Sequence, residues 1–452
     1  MTTRIVAMLA AATIAACASA AQAQNKADPP PFHCGDIVPD PAKTAPKIAP
    51  IFRSNAGLND ASFDCMVWQD FIYLNWPVTP GQRGVPNKGA KFGASGPTVW
   101  ESYKTVDDVF LPDARNPGPW NDPRLLATLP SSVASRVASG QIRRLTETSK
   151  ISRATLGNIL SHGSASPQFL DEIAQAGGGT LYDLNGYPVY YEISMNKVQY
   201  DYIVNNGLYD AGKQIAFAQK QVISLPAGDG DKESAVEVKA AWKVLSAAEQ
   251  KSGRFHTIQA LLGGSKTPVT VGLVGFHMFI ANGAQGAWGT FAQVDNAPVK
   301  TPATSGTFNF FNPKCVAAGG ACPINVKDAN PGQVVQITPN DNTAAQLNAY
   351  VHALITARDP KSPWQYYDLV NVQWALTPKA LSSLPVPVQA PLPDGNPNQV
   401  VVVNAVLETF VQSDGIGCFS CHQGATVARS GELKPPFASS YSFVFGRAKS
   451  PK

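Results

Sequence analysis

Val271-Gly272-Leu273-Val274-Gly275-Phe276-His277-Met278-Phe279-Ile280 is apolar almost throughout and contains no proline. A short apolar run rich in β-branched and aromatic residues predicts a buried strand, here spanning 269–280. Residues 235–245, with Val236, Val238, Trp242 and Val244, predict a second buried strand. Successive side chains of a strand point to opposite faces, so His277 and Met278 diverge.

Outward from these strands the text alternates between helix and strand. Phe63, Val67, Phe71 and Leu74 recur at helical spacing until Pro77 stops the run. Trp68 and Trp76 beside them read as an aromatic core or, alternatively, as the lining of a cofactor pocket. Residues 99–104 read as a strand or the start of a short helix, 111–125 as a proline-rich loop, and 130–165 as polar surface helix and loop. Residues 181–193 read as a β-hairpin, with Asn185-Gly186 supplying the positive φ angles of a tight turn. Asn196 is a helix cap for a segment running to Asn205. Residues 343–358 are amphipathic, with Leu347, Val351, Leu354 and Ile355 on one face, and 366–374 predict a further strand. The expected class is α+β: a large globular body of mixed strands and helices over 24–395, with a C-terminal segment, 396–452, packed on it. Within that segment 400–411 reads as a helix or strand. No internal repeat is present.

Charged residues make up 15% of the 452-residue chain, against the usual quarter, and the net charge is +4. That charge is too weak and too dispersed to point to nucleic acid or an anionic membrane surface. Arg4, the apolar run 5–16 and Ala21-Gln22-Ala23 form a secretory signal over residues 1–23, too short to span a bilayer. Cys17 also fits a lipoprotein box, a lesser alternative to cleavage after Ala23. No later segment reads as a transmembrane helix. The expected location is therefore the periplasm.

Cys418-Phe419-Ser420-Cys421-His422 has the Cys-x-x-Cys-His pattern of c-type haem attachment. Two thiols at this spacing form thioethers to the haem vinyl groups, and the next residue supplies an axial nitrogen to iron. The competing reading is a redox or disulfide Cys-x-x-Cys that happens to precede a histidine. Cys34, Cys65, Cys315 and Cys322 remain as an even set for an oxidising compartment. Cys34–Cys65 with Cys315–Cys322 is the favoured one of three pairings.

No Met follows His422, so a sixth iron ligand comes from upstream or from solvent. The upstream inventory is Met66, Met195 and Met278 with His33, His162, His256, His277 and His352. Of these, His352 is expected to face solvent. His277 or Met278 is the candidate sixth ligand; the alternative is a hydrogen-bonded core histidine beside a gap-filling methionine. Gly263-Gly264-Ser265-Lys266 echoes a phosphate loop without its full spacing. Glu192, Glu237 and Asp295 lie in or beside apolar segments, where a carboxylate needs a partner, and read as salt-bridged structural groups.

Several phrases resemble a poorly characterised family of exported bacterial cytochrome c proteins. They are Met66-Val67-Trp68-Gln69-Asp70-Phe71-Ile72-Tyr73-Leu74-Asn75-Trp76-Pro77, residues 236–243, residues 272–277, Trp288-Gly289-Thr290-Phe291, Val294-Asp295-Asn296-Ala297-Pro298, and Leu407-Glu408-Thr409 ahead of the haem motif. The resemblance implies export and one covalent haem c, not a substrate. Relatives tend to read Thr-Phe-Glu-His where this chain has Thr290-Phe291-Ala292-Gln293, so any role of that histidine does not transfer.

The leading expectation is a periplasmic mono-haem c-type cytochrome that transfers electrons to or from a redox partner protein. The alternative is a haem-dependent oxidase, peroxidase or oxygenase acting on a small-molecule substrate at an open iron site. A third is a sensory module whose haem binds a diatomic gas.

Overall fold

The computed structural model describes residues 34–40, 46–48, 57–122, 136, 142–148, 179–228, 232–283, 285–319, 322–412, 417–428 and 437–451. The expected signal, Cys17, His33 and His162 lie outside these residues, as does most of 130–165. The fold is α+β, as expected.

In chain order the elements are helix α1 (Asp60–Leu74), β1 (Lys104–Thr105), the short α2 (Val106–Val109), β2 (Ile142–Leu145) and β3 (Tyr190–Met195). Then come α3 (Lys197–Asn205), α4 (Ala211–Ala218), β4 (Val236–Val244), α5 (Ala247–Ser252), β5 (Thr257–Leu262), β6 (Val269–Ile280) and β7 (Ala287–Gln293). The last group is α6 (Pro313–Ala317), α7 (Asn342–Arg358), β8 (Tyr367–Trp374) and α8 (Cys418–His422). No described helix is long and apolar enough to cross a membrane.

All eight strands join one sheet whose axis is β6. From Val271 to Ile280 β6 pairs antiparallel with β4; on the other side its first third pairs β5 and its second half pairs β7. From β7 the sheet continues to β8, and from β4 to β3 and β1. The pairing of β2 with β5 is parallel.

Two irregularities are held by asparagines. The register of β4 against β6 shifts between Ala241 and Trp242, and Asn296 Nδ2 donates to the Val274 carbonyl at this point (2.6 Å). The register of β7 against β8 shifts between Thr290 and Phe291. There Asn348 of α7 bonds both backbone groups of Leu369 and accepts from Trp68 Nε1. A bulge leaves backbone groups outside the ladder, and a buried side-chain amide supplies both a donor and an acceptor.

One face of the sheet is apolar. Val238, Met278, Gly289 and Val372 form one cross-strand row on it, and Ala240, Phe276, Phe291 and Leu369 the next. α1 lies on this face: Phe71 stacks on Phe291 at 4.0 Å between ring centroids and meets Phe276 edge-on. Trp68 and Trp76 are fully buried in this core. α1 starts where Asn59 accepts from Ser62 N and ends at Asn75, ahead of Pro77. Cys34–Cys65 pins the preceding segment to it, and Cys315–Cys322 closes the other bridge, the expected pairing.

Several local expectations need adjustment. Among residues 130–165, Ile142–Leu145 is a buried edge strand, because its partner β5 is supplied from far along the chain. The hairpin at 181–193 is confined to its tip, a bridge between Tyr182 and Pro188. There only Gly186 takes positive φ (80°), and the Asp183 carboxylate accepts from the Asn185 and Tyr187 N–H groups. β3 then runs on to pair with β1 and β4. Residues 400–411 are neither helix nor strand but a chain of turns. By contrast, Asn196 caps α3, accepting from Gln199 N.

Candidate functional site

The second face of the sheet is built differently. Lys239, His277, Thr290 and Asn371 stand in one cross-strand row, and Glu237, Phe279, Trp288 and Gln373 in the next. Polar groups on a covered face need partners, and the segments after 400 provide them. Asn371 Nδ2 donates to the Val401 carbonyl (2.9 Å), and Asn404 Nδ2 donates to Thr290 Oγ1 (2.9 Å). Glu237 Oε2 accepts from Ser442 Oγ (2.6 Å) and from Gln199. Gln373 Oε1 accepts from Phe419 N (2.9 Å). That last bond seats α8, the Cys-x-x-Cys-His turn, on this face. Gly417 just before it leaves room for the Gln373 amide, which a Cβ there would meet at 2.1 Å and have to displace.

Within α8 Cys418 and Cys421 form no disulfide, whereas the other described cysteines are bridged. Both are half-buried. Burial, followed by the nearby Glu408 carboxylate, pushes the Cys418 thiol well above its ordinary pKa. His422 packs between Trp288 (4.3 Å between ring centroids) and Phe443 (4.9 Å). Its Nδ1 lies 2.7 Å from the Tyr441 carbonyl oxygen. A carbonyl can only accept, so Nδ1 carries a proton, and in the neutral ring the lone pair is on Nε2. Loss of hydration, together with Lys239 and His277, holds the His422 pKa down to about 4 against the pull of the Tyr441 bond. The ring is a neutral imidazole with one nitrogen free to donate.

This arrangement fits a c-type haem on three counts. Two thiols are unbridged, the adjacent histidine is neutral, and its second nitrogen is held by a carbonyl as metal-ligating imidazoles usually are. A cavity of about 150 Å³ lies beside α8, lined by Gln373, Asp394, Asn398, Phe419, Ser420 and Gln423 among others, and not by Cys418, Cys421 or His422. It is smaller than the roughly 300–1,000 Å³ of organic-ligand pockets.

His277 and Met278 separate as the strand period requires. Met278 is buried against Val67 and Gly289 on the apolar face, away from α8. His277 shares the polar face with α8, and its Nε2 lies 2.7 Å from Glu408 Oε1. The other Glu408 oxygen accepts from Asn404 N (2.9 Å). Although burial opposes it, His277 leads the groups that hold the Glu408 carboxyl below its ordinary pKa. Lys239 completes the cluster over the ring of Tyr191, which donates its hydroxyl proton to the Val406 carbonyl.

The remaining described histidines, His256 and His352, bond within the protein away from α8. His352 is half-buried rather than solvent-facing, bonded through Nε2 to the Tyr367 carbonyl at 2.8 Å. His256 bonds Glu101 at 2.7 Å and stacks on Trp364. The buried Glu192 pairs with Arg143 and the half-buried Asp295 with Arg254, the expected salt bridges. Glu237 is held instead by Ser442 and Gln199, and burial raises its pKa. Phosphate-loop-like residues 263–266 are an exposed turn between β5 and β6.

Sequence reasoning did not find Trp288, Gln373, Glu408 or Tyr441 as parts of this site. The period-2 pattern of β7 and β8 carried a signal for the first two. Tyr441 acts through its carbonyl, which any residue possesses.

No protein-family profile, curated protein or solved structure matches this chain.

Proposed function

We propose that this protein carries one haem c, joined through Cys418 and Cys421 with His422 as axial ligand, and works as an exported mono-haem electron-transfer protein. The observation that carries the reading is the His422 imidazole, oriented by the Tyr441 carbonyl on Nδ1 beside two unbridged thiols. Haem bound there supplies a one-electron ferric/ferrous couple. The chain's own residues fix the axial nitrogen and flank its ring with Trp288 and Phe443. The two disulfides fit the oxidising periplasm that haem attachment and the N-terminal signal imply. A redox partner protein is the expected second component.

A second reading is a haem enzyme with an open iron position. His277, the sheet-face candidate for the sixth ligand, has its Nε2 on Glu408, so only Nδ1 is left for iron. Absorption spectra of the exported, haem-loaded protein, ferric and ferrous, with and without carbon monoxide, separate the two. Low-spin iron indifferent to carbon monoxide supports electron transfer. High-spin iron that binds it supports the open site. In the low-spin case, an unchanged spectrum in His277→Ala removes His277 as the ligand.

A further inference from the structure

Ser440 and Tyr441 are consecutive residues in the left-handed backbone region, with φ of 54° and 62°. Neither is glycine, and a bulky residue there is an outlier that persists only where its surroundings enforce it. The surroundings do so at every position of the loop 439–442, whose four residues are all buried. Ser439 N donates to the Ala425 carbonyl, and Ser439 Oγ donates to the Ser442 carbonyl (2.9 Å). Ser440 Oγ accepts from Leu225 N (2.9 Å). The Tyr441 hydroxyl donates to the Pro393 carbonyl (2.5 Å) and accepts from Gln285 Nε2 (3.1 Å). Ser442 Oγ donates to Glu237 of β4. Separate parts of the chain thus converge on one short loop, whose Tyr441 carbonyl accepts from His422 Nδ1.

We propose that this loop is a strained clamp for His422, with Tyr441 as its positioning residue: the phenol anchors the backbone so that its carbonyl fixes the tautomer and ring plane of the axial imidazole and strengthens its donation to iron. The inference rests on the haem reading for its consequence at iron, but its geometry stands in the chain alone. A carbonyl on Nδ1 makes Nε2 a better donor, which favours the ferric state. Loosening the clamp therefore shifts the couple toward ferrous iron.

The test compares Tyr441→Phe and Ser440→Gly with Tyr200→Phe in the haem-loaded protein. Tyr200 is a similarly buried tyrosine whose hydroxyl donates to the Gly118 carbonyl and not to the loop 439–442 or α8. Tyr441→Phe is expected to shift the ferric/ferrous equilibrium about threefold to tenfold toward ferrous, or roughly 30–60 mV for one electron. Ser440→Gly retains the left-handed backbone without its anchor and shifts it the same way by less; Tyr200→Phe leaves it unmoved. A second readout is nitrogen-15 NMR of the His422 ring in the full-length chain made without haem. The wild type shows the Nδ1–H tautomer, and both clamp variants mix it with the other. Potentials and tautomer unchanged in the clamp variants, or shifted as much by Tyr200→Phe, overturn the proposal. A wild type without covalent haem defeats the haem reading instead, and the tautomer then decides the clamp.

Discussion

The two faces of the β4–β6–β7–β8 sheet come from the same strands, one residue apart, and do opposite work. On one side Val238, Met278, Gly289 and Val372 meet α1 in a dry aromatic core. On the other, Lys239, His277, Thr290 and Asn371 meet the segments that carry the Cys-x-x-Cys-His turn. The first face stabilises by burying area, and its residues are exchangeable for others of similar volume. The second stabilises little for its size, because each polar group exchanges a water bond for a protein bond at small net gain. What it provides is position: His277, Thr290, Asn371, Glu237 and Gln373 each bond a named atom of the cover.

The largest way to break the contrast is at the cover itself. Replacing Cys418 and Cys421 together with Ala should abolish covalent haem while leaving the disulfide-pinned apolar core folded, read by haem retention after denaturation against far-UV circular dichroism. On the apolar face, Phe71→Ala removes a fully buried ring between Phe291 and Phe276. It should cost about 3–5 kcal/mol in urea unfolding, with an unaltered haem spectrum in the fraction that remains folded.

A matched glycine pair sharpens the comparison. A Cβ on Gly289 would lie 2.3 Å from Val67 of α1, and one on Gly275 would lie 2.6 Å from Val406 of the cover. Each alanine should destabilise by about 1–3 kcal/mol through overpacking. Only Gly275→Ala should also change the haem spectrum, since it lifts the turns that hold Glu408 and Asn404. Equal spectral effects from the two would erase the division of labour.

The smallest expected effect is a gain. Asp64 of α1 is buried, and its Oδ2 accepts no hydrogen bond. Burial, then Asp60 and Asp341, raises its pKa well above 3.8. A carboxyl whose folded pKa is raised weakens the fold as pH rises above the unfolded value, and the penalty is absent below it. Asp64→Asn should therefore stabilise by about 1 kcal/mol or more at pH 7, with the gain fading as pH falls toward 3.8. Thermal unfolding of both proteins across that range checks the sign.

The apolar face was the legible one. Apolar residues alternating with charged ones marked β4, a continuous apolar run marked β6, helical spacing marked α1 and α7, and Asn196 marked the start of α3, because each signal is local. β2 escaped because four residues, Ile142–Leu145, gain their identity only from β5. The turns at 400–411 escaped because an apolar run is equally consistent with a helix, a strand or a buried irregular cover. That cover is irregular because the backbone groups around it bond side chains such as Asn371 and Asn404 instead of a ladder. At the site, Cys418, Cys421 and His422 were legible from spacing alone. His277 and Met278 were legible as a pair pointing apart, but which of them shares a face with α8 depends on the sheet's packing. Glu408 and the Tyr441 carbonyl reach the site by long-range folding, and nothing in their neighbouring residues announces it.

The most direct measurement is the intact mass of the full chain, recovered from the periplasm of a host that matures c-type cytochromes and recorded under denaturing conditions. The account predicts a mass raised by one haem, an increment that disappears in the Cys418→Ala, Cys421→Ala double variant. A wild-type chain of unmodified mass, or haem that dissociates on denaturation, would contradict it.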